Sequence, residues 1–358
     1  VNCLVRAGVN PVSLGPLMID IQDPVLGAED RELLTHPLVG GVILFTRNYA
    51  DPEQLSALTR DLHNLRSPPL LIAVDHEGGR VQRFRDQFTE LPPARAYGTL
   101  YDQNPEQGLR FTEQMAWLLA SELRTAGVDL SFAPVVDLDM NVSTVIGDRA
   151  LHRDPKAVGE LARAWVLGMR RAGMAACAKH FPGHGAVAGD SHHMLPVDTR
   201  SLTEIRNRDL KPYQRLIRMD IPAIMMAHVV YPNVDSVPAS LSRKWIGSEL
   251  RGALEYGGAV FCDDLSMHGA AGAGSYTDRA HAALSAGCDM LPVCNNRAGV
   301  IEILDNMKDV SDPQRQWRLT RLHGGKGTPR EELMAGADWR DARAALERYH
   351  GAGAFTLT

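Results

Sequence analysis

The chain has no basic block, no C-x-x-C pair and no stretch of about 18 consecutive apolar residues, and each absence excludes a class of protein. With 38 Lys and Arg against 43 Asp and Glu, a formal charge of −5, nothing gathers to grip nucleic acid or an anionic membrane. The missing apolar run excludes a membrane-spanning helix. The stretch VNCLVRAGVNPVSLGP at 1–16 carries one arginine and no sustained apolar core of the kind a secretory signal needs, so a cytoplasmic protein is expected. Five cysteines, odd in number and several set inside apolar runs, read as small core residues in a reducing compartment. A small polar substrate suits this balance, with no nucleic-acid or membrane partner and a monomeric chain.

What the sequence does contain is alternation. Short apolar runs at 16–21, 39–45, 70–75, 128–136, 175–180, 222–228, 259–263 and 289–294 alternate with amphipathic segments. This is the pattern of parallel strands joined by helical crossovers, and eight such runs predict a single-domain α/β protein of the (β/α)8 TIM-barrel class. Asp51-Pro52, Asn104-Pro105 and Asp154-Pro155 each put a capping side chain before a proline suited to the first helical turn. Gly127 and Gly173 supply stops, Ser201 with Glu204 has capping-box spacing, and Ser242 caps the segment ahead of the seventh run. The expected division is a leader at 1–14 outside the barrel, a catalytic barrel at 15–308, and a C-terminal tail or packing helix at 309–358.

In such a barrel the reactive groups sit where strands end and βα-loops begin. The polar residues ending these runs are Asp75, Asp137, Lys179 with His180, His228, Asp263 with Asp264, and Asn295. Any one alone suits a solvated strand end, but six convergent ends point to a site. The segment KHFPGHGAVAGDSHH, 179–193, is too rich in glycine for regular structure and reads as a mobile loop. His180 and His184 have the i, i+4 spacing of metal ligands, yet Pro182 and Gly183 prevent the helix that would align them. Asp190 and His192, one residue apart, suit a carboxylate that orients an imidazole for proton transfer, with His193 as the competing ring. Asp263 closes the run GGAVFCD and is the candidate nucleophile, whereas Asp264, followed by LSM, suits a cap.

Three long segments in order, VDHEGGRVQR at 74–83, KHFPGHG with DSH after it, and DDLSM at 263–267, resemble glycoside hydrolase family 3, and within it the bacterial β-N-acetylglucosaminidases of cell-wall recycling. The resemblance runs from GPLMIDI at 15–21 to CDMLPVCNN at 288–296. It implies Asp263 as nucleophile, His192 as acid/base with Asp190 as its partner, and Asp75, Arg83, Arg149, Lys179 and His180 as the groups holding the N-acetylglucosamine ring. It further implies a retaining mechanism through a glycosyl-enzyme, no cofactor or metal, and N-acetylglucosaminyl-1,6-anhydro-N-acetylmuramic acid, with or without peptide, as substrate. The chain departs from its relatives at Ala150 and Leu151, where Ser and Phe are commoner, and at Cys262, where Ser is.

Four other readings compete. Phosphorolysis at the same site is one, since a neutral acid/base repels phosphate less than a carboxylate does. A metal-dependent hydrolase would use His180, His228 and Asp263. A Schiff-base aldolase would use Lys179, provided its surroundings suppress the ammonium form. A non-catalytic sugar-binding barrel would leave the nucleophile and acid/base without a task.

Overall fold

A computed structural model describes residues 13–189, 194–308 and 311–351. The first barrel strand, β1 (Leu17–Asp20), is followed by α1 (Ala28–Thr35), β2 (Val39–Leu44), α2 (Pro52–Asn64), β3 (Leu71–Val74), α3 (Arg95–Gln103), α4 (Pro105–Thr125) and β4 (Leu130–Ser131). Next come α5 (Pro155–Arg171), β5 (Ala175–Phe181), α6 (Leu202–Asn207), α7 (Leu210–Ile217) and β6 (Ala223–Met226). A wide π-type helix (Lys244–Ala253) leads to β7 (Ala259–Phe261), then α8 (Tyr276–Ala286), β8 (Leu291–Val293) and α9 (Arg297–Asn306). The strands pair in parallel in the order β7-β6-β5-β4-β3-β2-β1-β8. A bridge between Phe261 and Met290 and the bond from Cys262 N to Met290 O at 2.9 Å close the ring. The protein is a (β/α)8 barrel, with each of the eight apolar runs forming its strand.

Period-two alternation decides which side chains fill the barrel and which meet the helices. Leu17, Ile19, Val42, Leu44, Ile72, Val74, Ile224, Met226 and Val260 join the large core between strands and helices. Their neighbours Met18, Ile43, Leu71, Ala73, Cys177, Ala223, Met225, Ala259 and Phe261 form a separate interior cluster with Leu130 and Phe132. Phe132 and Phe261 meet edge-on at 5.3 Å between ring centres and fill the middle of the barrel. The same inward parity, followed to the strand ends and just beyond, selects Asp20, Phe45, Asp75, Lys179, Asp263 and Cys294 towards the C-terminal mouth.

The predicted punctuation is present. Asp51, Asn104 and Asp154 accept from the backbone N–H groups of the first turns of α2, α4 and α5, each with proline at the start. Ser201 and Glu204 form a reciprocal capping box, and Ser242 Oγ accepts from Trp245 N at 3.1 Å. Gly127 and Gly173 follow α4 and α5 with positive φ.

At the opposite, N-terminal end, Leu14 is fully buried with Leu319 and Leu322 in the interior cluster. The latter two come from α10 (Pro313–Thr320) and the turn after it, anchored where Arg318 grips Asp289 at 2.8 Å. Helices α11 (Arg330–Ala335) and α12 (Ala337–Gly351) pack on α4, with Trp339 Nε1 donating to Glu122 at 2.9 Å and Tyr349 against Phe111. Among the described residues no helix is long and apolar enough to cross a membrane.

Candidate active site

The mouth of the barrel holds a cavity of about 420 Å³. Asp75, Arg83, Arg149, Lys179, His180 and Asp263, all candidates from the sequence, line this one cavity. Asp190 and His192, together with the competing His193, lie outside the described residues.

Parity explains how the strands deliver these groups. Asp75 extends the inward row of β3, Lys179 that of β5 and Asp263 that of β7. A register shift between Lys179 and Phe181 lets two consecutive residues, Lys179 and His180, reach the same cavity.

The cations are matched by carboxylates. Lys179 Nζ contacts Asp75 Oδ1 at 2.8 Å and Glu77 Oε1 at 2.7 Å, and Arg83 lies 3.5 Å from Asp75 Oδ2. Arg149 clasps Glu77 with two parallel bonds of 2.8 Å, the bidentate geometry that suits guanidinium and carboxylate. Ala150, next to Arg149, is buried with Val135 and Ile146 and leaves this clasp intact. Burial alone would raise the pKa values of Asp75 and Glu77, but Lys179 with Arg83, and Arg149 with Lys179, outweigh it and hold both carboxyls below their ordinary range. The same carboxylates overcome burial at Lys179 and push its pKa up, fixing it as an ammonium. This is the reverse of what a Schiff-base nucleophile needs.

Asp263 is employed differently. Among the described residues no cation pairs with it, and its Oδ1 accepts only from the N–H of Asp264 at 2.9 Å. It is a partly exposed carboxylate on the cavity wall, positioned but not neutralised. Asp264 is absorbed by structure, accepting from Ser266 N at 2.9 Å, Ser266 Oγ at 2.7 Å and Cys294 N at 3.0 Å. Burial raises its pKa.

Two strand-end residues expected at the site stand behind it. Asp137 is buried outside the cavity wall, taking His180 Nδ1 at 2.7 Å and the backbone N–H of His184 at 2.6 Å. A carboxylate only accepts here, so Nδ1 carries the proton and Nε2 is left for a ligand. Burial would raise the Asp137 carboxyl, but His180 outweighs it and holds it low. His228 is fully buried, with Nε2 bonded to the carbonyl of Asp264 at 2.9 Å and Nδ1 to Ser240 Oγ at 2.6 Å. Since a carbonyl cannot donate, Nε2 donates to the backbone beside Asp263, and Nδ1 is engaged by the Ser240 hydroxyl, so both ring nitrogens are committed. The trio His180, His228 and Asp263 is therefore not brought together, and among the described residues no three His, Cys, Asp or Glu side chains assemble to hold a metal.

Glu77, His184 and Asn295 also line the cavity. Glu77 was not singled out from the sequence, although its place two residues after Asp75 was the available signal.

The model for the glycosyl hydrolase family 3 N-terminal domain matches residues 17–322. A β-hexosaminidase of Thioalkalivibrio sulfidiphilus is 51% identical over 335 residues, covering 94% of this chain and 96% of its own. One from Alkalilimnicola ehrlichii is 55% identical over 311 residues, covering 87% and 89%. Among solved structures, NagZ from Neisseria gonorrhoeae in complex with N-trifluoroacetyl-D-glucosamine superposes with a TM-score of 0.90 at 42% identity, over 94% of this chain and 98% of that one. A family 3 β-N-acetylglucosaminidase from Paenibacillus sp. FPU-7 does so with a TM-score of 0.84 at 30% identity, over 96% and 68%.

Proposed function

The chain belongs to glycosyl hydrolase family 3, and from that membership we propose a retaining mechanism in which Asp263 attacks the anomeric carbon of a terminal N-acetylglucosamine. The protein is a β-N-acetylhexosaminidase, an exo-acting enzyme on substrates ending in N-acetylglucosamine. The observation that carries the nucleophile assignment is the contrast among the cavity carboxylates. Asp75 and Glu77 are tied to Lys179, Arg83 and Arg149, whereas among the described residues no cation pairs with Asp263.

Asp75, Arg83, Arg149, Lys179 and His180 hold the sugar in this reading. Their donors and acceptors match the hydroxyl and acetamido groups of the ring, and fixed charge pairs keep them in place before substrate arrives. Bond making and breaking balance simply. Asp263 forms an ester at the anomeric carbon as the glycosidic bond breaks, and His192, oriented by Asp190, gives its proton to the departing oxygen. The same histidine then takes a proton from water, which releases the sugar with retained configuration and restores Asp263.

The natural substrate in this proposal is N-acetylglucosaminyl-1,6-anhydro-N-acetylmuramic acid, with or without peptide, in the cytoplasm. Phosphate as acceptor gains no support from the cavity, because Lys179 and Arg149 are already engaged by carboxylates.

Release of p-nitrophenol from p-nitrophenyl N-acetyl-β-glucosaminide tests the assignments. Wild type turns the compound over with indifference to chelator, and Asp263→Ala does not. His192→Ala loses less on this activated leaving group than on a disaccharide, since p-nitrophenolate needs little protonation. Equal losses on both substrates would remove His192 from the acid role, and a selective loss in His193→Ala would move that role one residue along.

A further inference from the structure

His184 is a polar cavity residue that the roles above leave unused. Its side chain is buried, 2% exposed, and lines the cavity, yet among the described residues neither ring nitrogen has a hydrogen-bond partner. The ring is held firmly all the same. Its own N–H is fixed on Asp137 Oδ1, and its face meets the ring of His180 at 5.9 Å and 65°. Gly185 lies so close to Leu138 that a Cβ would come within 1.9 Å of the carbonyl oxygen, so the backbone beside the ring cannot shift outward. A rigid buried imidazole with both nitrogens unsatisfied is costly for the fold alone, and a ligand atom removes the cost.

The chemistry of that atom follows from the neighbours. Asp75 and Glu77 only accept, while Arg83, Arg149 and Lys179 only donate. Burial and His180 keep the His184 ring neutral, so it donates from one nitrogen and accepts at the other. A sugar hydroxyl has the same dual character.

We propose that His184 binds a ring hydroxyl of the N-acetylhexosamine directly and so helps determine which sugar the cavity accepts. The inference rests on the reading of this cavity as the sugar site.

The test uses the full chain as wild type, His184→Leu and His184→Gln, each assayed on p-nitrophenyl N-acetyl-β-glucosaminide and on its 3-, 4- and 6-deoxy analogues. On the parent compound kcat/KM of His184→Leu falls about tenfold to a hundredfold, and His184→Gln, which keeps a donor and an acceptor, recovers most of it. On the one analogue lacking the hydroxyl that His184 holds, the loss shrinks to about threefold or less. A purely structural role predicts equal losses on all four compounds, and either that result or no loss on the parent overturns the inference. Should the leucine variant fail to fold, His184→Phe, which keeps a ring against His180 without the nitrogens, carries the same comparison. Wild-type turnover and its loss in Asp263→Ala judge the cavity reading separately. Failure there withdraws both claims, whereas a flat His184 series beside intact Asp263 dependence withdraws only this one.

Discussion

Asp263 and Asp264 are adjacent carboxylates with opposite employments, and the difference lies in their hydrogen bonds. Asp264 is consumed by Ser266 and Cys294, and Asp263 faces the cavity with, among the described residues, a single backbone donor. The placement of Asp263 on the cavity wall was legible in the sequence because β7 alternates, and its inward row passes from Phe261 to Asp263. The same rule, applied to β6, places His228 on the outward row with Met226, which is why this residue, expected at the site from its strand-end position, stands behind the cavity. What no pattern revealed was the task of His228, which depends on a contact across 36 residues to the Asp264 carbonyl. His228→Leu should therefore lower kcat by about a hundredfold through displacement of Asp263, with no dependence on added metal. Steady-state assays with and without chelator read both outcomes. Glu77 makes a second residue-scale prediction. Glu77→Gln leaves Arg149 and Lys179 short of a buried counter-charge and should destabilise the fold by up to about 3–5 kcal/mol, measured by urea unfolding.

At the scale of elements, strands and caps were legible from the sequence because their signals are local: a two-residue period, and a capping side chain ahead of proline. Each of the eight expected runs encloses or overlaps its observed strand, and the runs are longer mainly because the polar residues that follow belong to the mouth. Glu77 escaped notice for a related reason. It lies in a short hairpin, His76–Gly78 paired with Val81–Gln82, that belongs to no barrel strand. The caps carry their own test. Asp154→Ala removes acceptors for the N–H groups of Lys156 and Ala157 and should cost about 1 kcal/mol in stability. Asp154 does not line the cavity, so kcat at moderate temperature should hold, and thermal unfolding beside turnover separates the two effects.

For the whole molecule, the closed barrel places its packed apolar interior at one end and its paired charges at the other. Leu14, Leu319 and Leu322 close one end with apolar side chains, and the other end concentrates the carboxylates Asp75 and Glu77 with the cations Lys179, Arg83 and Arg149 in one ion-paired cluster. Because Asp75 and Glu77 have depressed pKa values in the folded state, their contribution to stability is fully present above the unfolded value near about 4 and is lost as pH falls towards the folded one. The stability advantage of wild type over Glu77→Gln should thus be constant at neutral pH and shrink on acidification below about pH 4, a trend that urea titrations across pH report. An advantage that grew in acid would contradict the buried pairing. The central claim is covalent, and it is tested most directly by mass spectrometry of peptides from enzyme treated with 5-fluoro-N-acetylglucosaminyl fluoride, which slows release of the glycosyl-enzyme. A sugar ester on the peptide carrying Asp263, absent in Asp263→Ala, is the predicted result; a label on another residue, or none from an enzyme that turns the compound over, would contradict it.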